Sequence, residues 1–137
     1  MLVLDASVAA AWIIDDEATD LTDELLVRAR QETALVPALF RFETANLVVA
    51  AERRGRMTQA QASQALDLLA GDWIRLADAG SGPSRWLELS RRHQSINLSA
   101  YDAAYLATAI TAAVPLATLD ARLRHAASAE GVAVLPA

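Results

Sequence analysis

Four acidic residues stand in segments that otherwise read as core. Asp5 ends the apolar run Leu2-Val3-Leu4-Asp5, and Asp120 follows Pro115-Leu116-Ala117-Thr118-Leu119. Glu43 lies inside Phe40-Arg41-Phe42-Glu43-Thr44-Ala45-Asn46-Leu47-Val48-Val49, and Asp102 is the only charge between Arg92 and Asp120. An acid in such a setting is rarely buried unless it is paired or bound to metal. Two carboxylates about 4 Å apart repel by about 4 kcal/mol at an effective dielectric of about 20. Several such pairs would be a large fraction of a domain's stability, typically about 5–15 kcal/mol. If the four converge, either they take up protons or a divalent cation neutralises them. Their joint presence in one small domain suggests a cation site, with Ser7, Asn46 and Thr118 placed to orient the carboxylates by hydrogen bonds.

Composition narrows that chemistry. The chain has no cysteine and only two histidines, His93 and His125, so thiolate zinc sites, iron–sulfur clusters and histidine-rich sites are disfavoured. A metal would be held by oxygen, which favours Mg²⁺ or Mn²⁺. There is no lysine; all 12 basic residues are arginine. That excludes Schiff-base chemistry and a P-loop lysine. A net charge of −5 argues against broad attraction to nucleic acid. At 137 residues the chain is expected to form one domain, 1–137, with a sizeable core. Asp5 interrupts the N-terminal apolar stretch, and Pro115 breaks the uncharged run 103–119, so neither a signal peptide nor a membrane span is expected and the protein is expected to be cytoplasmic.

The elements that must position the acids can be read from periodicity and punctuation. Residues 2–5 read as a buried strand, followed by a helix capped by Ser7 and running through Ile14. Thr19 or Asp20 opens a second helix with Leu21, Leu25, Leu26 and Ala29 on one face. Residues 34–37 form a strand, and a long helix from about Ala38 to Arg54 stops at Gly55. Thr58 opens a helix with Ala62, Ala65, Leu66 and Leu69 on one side. Residues 73–77 form a strand, and a Gly80-Ser81-Gly82-Pro83 turn leads into a helix through about His93. Ser99 opens an apolar helix to about Ala113. Strands at 116–119 and 132–135 enclose a last helix at 121–130. Short apolar strands alternating with helices predict a three-layer α/β/α sandwich with a central, mostly parallel sheet.

Each acid also has a local role open to it. Asp5 suits an Asx turn or a helix cap, and Asp120 suits the N-cap of the last helix. Asp102 stands three residues after Ser99 in a capping-box pattern. Glu43 is hardest to explain locally. Leu39, Leu47 and Ala50 fall within about 40° of it on the helical wheel, with Arg41 and Glu52 roughly opposite, so Glu43 is expected in the middle of the apolar face. In an open parallel sheet, ligands bind beyond the carboxyl ends of the strands where strand order switches, and Asp5 and Asp120 fall at such ends.

At these residues the chain resembles the PIN-domain nucleases, most closely the VapC toxins of toxin–antitoxin pairs. The matching stretches are Leu4-Asp5-Ala6-Ser7, Glu43-Thr44-Ala45-Asn46, Tyr101-Asp102-Ala103-Ala104-Tyr105-Leu106-Ala107 and Ala117-Thr118-Leu119-Asp120-Ala121-Arg122-Leu123, in family order. The resemblance implies an endoribonuclease that uses Mg²⁺ or Mn²⁺. Asp5, Glu43, Asp102 and Asp120 would occupy the family's acidic, metal-holding catalytic site. It also implies a homodimer and a cognate antitoxin that blocks the site, commonly with a basic side chain. Of three arginine clusters, the one with Arg122, Arg124 and His125 directly follows Asp120 and is preferred for RNA contact. Arg53, Arg54 and Arg56, and Arg91, Arg92 and His93, read more simply as solvated helix faces. Trp12, Trp73 and Trp86 read as core or dimer residues.

Two other classes compete. Receiver-like and dehalogenase-like phosphotransfer domains also place acids at strand ends, but they need a lysine. A catalytically inactive module binding RNA or antitoxin would keep the fold without the chemistry.

Overall fold

The computed structural model describes residues 1–78 and 82–137. Five strands alternate with helices: β1 (Leu2–Leu4), β2 (Ala34–Val36), β3 (Ile74–Leu76), β4 (Leu116–Ala117) and β5 (Val134–Leu135). The helices are α1 (Ala6–Ile13), α2 (Asp20–Glu32), α3 (Leu39–Arg53), α4 (Gln59–Leu69), α5 (Pro83–Arg92), α6 (Ala100–Ala112) and α7 (Ala121–Ala129). The sheet order is β3-β2-β1-β4-β5 and every pairing is parallel. Successive strands step outward on one side of β1, and then β4 and β5 step outward on the other. With right-handed crossovers, that reversal puts α1 to α4 on one face and α5 to α7 on the other. The expected three-layer sandwich is therefore the observed fold, and its topological switch lies between β1 and β4.

Sequence dictates this layering simply. β1 is wholly buried, and parallel strands covered on both faces must be apolar on both. The sheet core joins Leu2, Val3 and Leu4 to Tyr105 and Leu106 of α6 and to Leu123 of α7. A smaller cluster joins Ala10 and Ile14 to Val48 and Ala51 of α3 and to Ala62 and Ala65 of α4. Gly55, at φ +71, adopts the left-handed conformation that stops the long helix, as its position predicted. Ser99 caps α6 with its side chain, also as expected. Among the described residues, no helix is long and apolar enough to cross a membrane.

Several local expectations are corrected. Ser7 does not cap α1; Asp5 holds the N-cap position and Ser7 lies in the first turn. Leu21 is exposed, and Thr22 takes the inward place on α2 beside Leu25 and Ala29. Thr22 can be buried because its hydroxyl donates to the Thr19 carbonyl at 2.9 Å and accepts from the Thr19 N–H at 2.9 Å. Leu66 also faces outward. On α3 the buried stripe is Phe40, Thr44, Val48 and Ala51, so half-buried Glu43 stands at the margin of the packed face, not its middle. The wheel misplaced it because the α3 apolar surface is wider than the surface its neighbours cover: Phe42 and Val49 are exposed. Gly80 and Ser81 of the expected turn lie outside the described residues.

Candidate functional site

The carboxyl end of β1 is fixed first. The Asp5 N–H donates to the Ala117 carbonyl at 3.0 Å, tying the first acid to the end of β4 across the switch point. The Asp5 side chain is 7% exposed. The Ser7 and Thr118 hydroxyls both donate to the same oxygen, Asp5 Oδ2, each at 2.7 Å. Their orientation is set from behind. Ser7 Oγ accepts the Leu119 N–H at 2.9 Å, and Thr118 Oγ1 accepts the Asp120 N–H at 3.1 Å. Each hydroxyl therefore passes its proton toward the carboxylate and holds the β4–α7 connection with its lone pair. Ser7 and Thr118, expected to support the acids, make these contacts directly.

Glu43 arrives from the second turn of α3. Its Oε1 accepts the Tyr105 hydroxyl at 2.6 Å. Tyr105 is buried and belongs to α6, one turn beyond Asp102. Asn46, expected to orient Glu43, lines the same cleft but makes no hydrogen bond to any of the four acids among the described residues. Tyr105 does that work instead. The available signal was the spacing Asp102-x-x-Tyr105, which puts both on one helical face.

Asp102 combines its two expected roles. Its backbone N–H donates to Ser99 Oγ at 3.1 Å, and its Oδ2 accepts a long bond of 3.4 Å from the Ser99 N–H. Asp120 is exposed and caps α7, with Oδ1 accepting the Leu123 N–H at 3.0 Å. The four acids, each attached to a segment that reads as core, differ in exposure: Asp5 is buried, Glu43 and Asp102 are partly buried, and Asp120 lies at the surface. Together with Ser7 and Asn46, the four acids line one cleft of about 330 Å³.

The electrostatics follow chiefly from burial. Desolvation raises the proton affinity of Asp5 first, against the pull of Ser7, Thr118 and the Ala6 N–H; the Asp102 charge adds to the rise. Desolvation likewise raises Glu43, helped by the charges of Asp5 and Asp102 and opposed by the Tyr105 hydrogen bond. Asp102 is raised by desolvation and by Asp120, and is lowered by its Ser99 bonds and by Arg122. Burial and the Glu43 carboxylate push the Tyr105 hydroxyl well above its ordinary range, so it stays a proton donor. The Arg122 charge is felt at Asp102. An all-oxygen donor set with raised proton affinities fits a hard divalent cation. Among the described residues, however, no three such side chains are gathered tightly enough to form a ready-made cage.

Several other basic residues are engaged within the chain. Arg124, expected at RNA, donates to the Thr118 carbonyl at 2.9 Å and to the Pro136 carbonyl at 2.8 Å. It ties the segment after β5 to the loop that orients Asp5. Arg56 pairs with Asp16 at 2.6 Å, and Arg92 pairs with Glu88 at 2.8 Å and also with Glu130. Trp12 donates to the Thr22 carbonyl at 2.7 Å and packs on Trp73 with ring centroids 5.8 Å apart, a structural role.

The crystal structure of PAE2754 from Pyrobaculum aerophilum has a similar fold, with a TM-score of 0.68 and 22% identity over 98% of this chain and 90% of that one. No curated protein matches the sequence at a significant level. The PIN domain family matches residues 2–129, and the chain therefore belongs to that family, whose members are generally metal-dependent nucleases.

Proposed function

We propose that the protein is a metal-dependent endoribonuclease that hydrolyses RNA phosphodiester bonds as the toxin of a type II toxin–antitoxin pair. One observation carries the nuclease reading: four acids from four separate segments line a single cleft at the switch point, and the most buried of them is held by two hydroxyls and, among the described residues, by no ion pair.

Asp5, Glu43, Asp102 and Asp120 would hold Mg²⁺ or Mn²⁺. When bound, such a cation lowers the pKa of a water ligand and offsets phosphate charge during hydrolysis. The protein's own part is positioning. Ser7 and Thr118 fix the Asp5 carboxylate, and Tyr105 fixes Glu43. The raised proton affinity of the partly buried carboxylates also suits one of them to accept the proton of an attacking water. Arg122, whose charge reaches Asp102, would be the basic residue to meet a phosphate at the rim.

The toxin role, a homodimer and an antitoxin that seats a basic side chain among the acids rest on the VapC resemblance of the motifs. The charge of the cleft supports such an antitoxin. A second reading, an inactive RNA- or antitoxin-binding module, draws on the Asp120 cap and on the absence of a ready-made cation cage among the described residues.

Cleavage of total RNA, measured with Mg²⁺, with EDTA and with Asp5→Asn, separates the two readings. The nuclease reading expects cleavage with Mg²⁺ only, and none from Asp5→Asn. Cleavage that survives both EDTA and the substitution removes it. Inert protein that still binds RNA selects the second reading.

A further inference from the structure

Among the described residues, the exposed large apolar side chains include only two aromatics, Phe42 at 78% exposed and Tyr101 at 68%. Both line the same pocket, of about 410 Å³, with Leu39, Glu43 and Asn46. Glu43 and Asn46 also form part of the acidic cleft, so the two cavities share a wall. In sequence each exposed aromatic directly precedes a cleft acid, Phe42 before Glu43 and Tyr101 before Asp102. The remaining exposed apolar side chains are non-aromatic.

We propose that Phe42 and Tyr101 form a stacking pocket for one unpaired nucleobase beside the acidic cleft, with the Asn46 carboxamide at the base edge. This inference rests on the nuclease reading for the placement of the reacting phosphate. It answers a problem that the charges pose. Net charge is −5, and Arg124, which follows the cleft acid Asp120, is turned to the Thr118 and Pro136 carbonyls. Stacking on aromatic faces needs no cation and tolerates any base. Aromatic rings with a nearby carboxamide are the means by which proteins grip splayed-out bases, whereas a paired strand keeps its bases inside the helix. The competing occupant is a second copy of this chain, and a dimer contact would accept aliphatic side chains in place of the rings.

The test is binding of a short single-stranded oligoribonucleotide carrying 2-aminopurine, with Ca²⁺ present, read by quenching of the probe. Phe42→Leu and Tyr101→Leu should each weaken binding by about tenfold or more, while Tyr101→Trp keeps it. Both sites are exposed, so thermal melts of the variants should match wild type. Wild-type affinity in the leucine variants overturns the pocket. So does monomer formation by Phe42→Glu or Tyr101→Glu, seen by light scattering, if the leucine variants still bind. Aromatic-dependent binding without RNA cleavage in Mg²⁺ supports the pocket and removes the nuclease reading alone. Cleavage without single-strand binding does the reverse.

Discussion

Two regions of this molecule hold low-exposure acids, and they treat them in opposite ways. Glu130, just beyond α7, has a side chain only 11% exposed; it is paired with Arg92 and faces His93 Nε2 at 3.6 Å. Asp5, Glu43 and Asp102 receive hydroxyls and backbone N–H groups instead. The first arrangement joins α5 to the end of α7 and needs nothing more. The second leaves like charges facing one another in a cleft, which is tolerable only with protons or a cation. A paired acid is part of the scaffold. In the proposed function, an acid held in place with little counter-charge is there to meet a cation.

The largest test of that contrast is chemical. Glu43→Gln should lower Mn²⁺-dependent RNA cleavage by about 100-fold or more, beyond the effect expected for a supporting residue, while Glu130→Gln leaves it near wild type. Equal losses in assays with matched folded protein would erase the distinction. Thr118→Val, which removes one of the two hydroxyls on Asp5, should reduce Mn²⁺ affinity by about tenfold, measured by calorimetry. Unchanged affinity would leave Thr118 as packing only.

Stability should separate the regions by sign. In urea, Glu130→Gln should destabilise the protein by about 1 kcal/mol, a modest figure because Arg92 is well exposed. Asp102→Asn should raise the melting temperature of the metal-free protein by a few degrees, since it removes a repulsive charge and keeps an oxygen for the Ser99 N–H. The same change should diminish any stabilisation by Mn²⁺. A Mn²⁺-induced shift equal to wild type would take Asp102 out of the ligand set.

The smallest effect is the pH dependence of that difference. The Asp102 pKa is raised from an ordinary 3.8, chiefly by desolvation. A raised carboxyl stabilises the fold fully below its unfolded pKa, and this contribution is lost as pH rises through the folded value. In EDTA, wild type and Asp102→Asn should therefore melt together near pH 4 and diverge toward neutrality, with the variant higher. Divergence in the acid range alone would contradict the assignment.

Much of this was legible in the sequence because it is local. Apolar runs set the strands, and Thr19, Thr58 and Ser99 mark helix starts that the structure realises with side-chain caps. Gly55 marks the stop of α3. The acids could be picked out by their neighbours, and Ser7 and Thr118 by their place beside Asp5 and Asp120. Helical wheels did less well. They could not say that Thr22 would be buried in place of Leu21, because only the local hydroxyl bonds make that burial favourable. Nor could they place Glu43 at a margin, since the width of a buried face depends on what packs against it.

The sequence alone determined the alternation of strands and helices, the oxygen-only donor chemistry and the identity of the four acids. Those are properties of residue type and short-range order. Only the tertiary structure decided that β1 lies beside β4, so that Asp5 meets Thr118 and Asp120 across more than a hundred residues of chain. It alone gave Glu43 its Tyr105 partner, turned Arg124 inward to the Thr118 and Pro136 carbonyls, and set Asp120 at the surface. The reason is physical. Strand order and side-chain pairing are settled by which apolar faces bury one another, and no residue carries that information by itself.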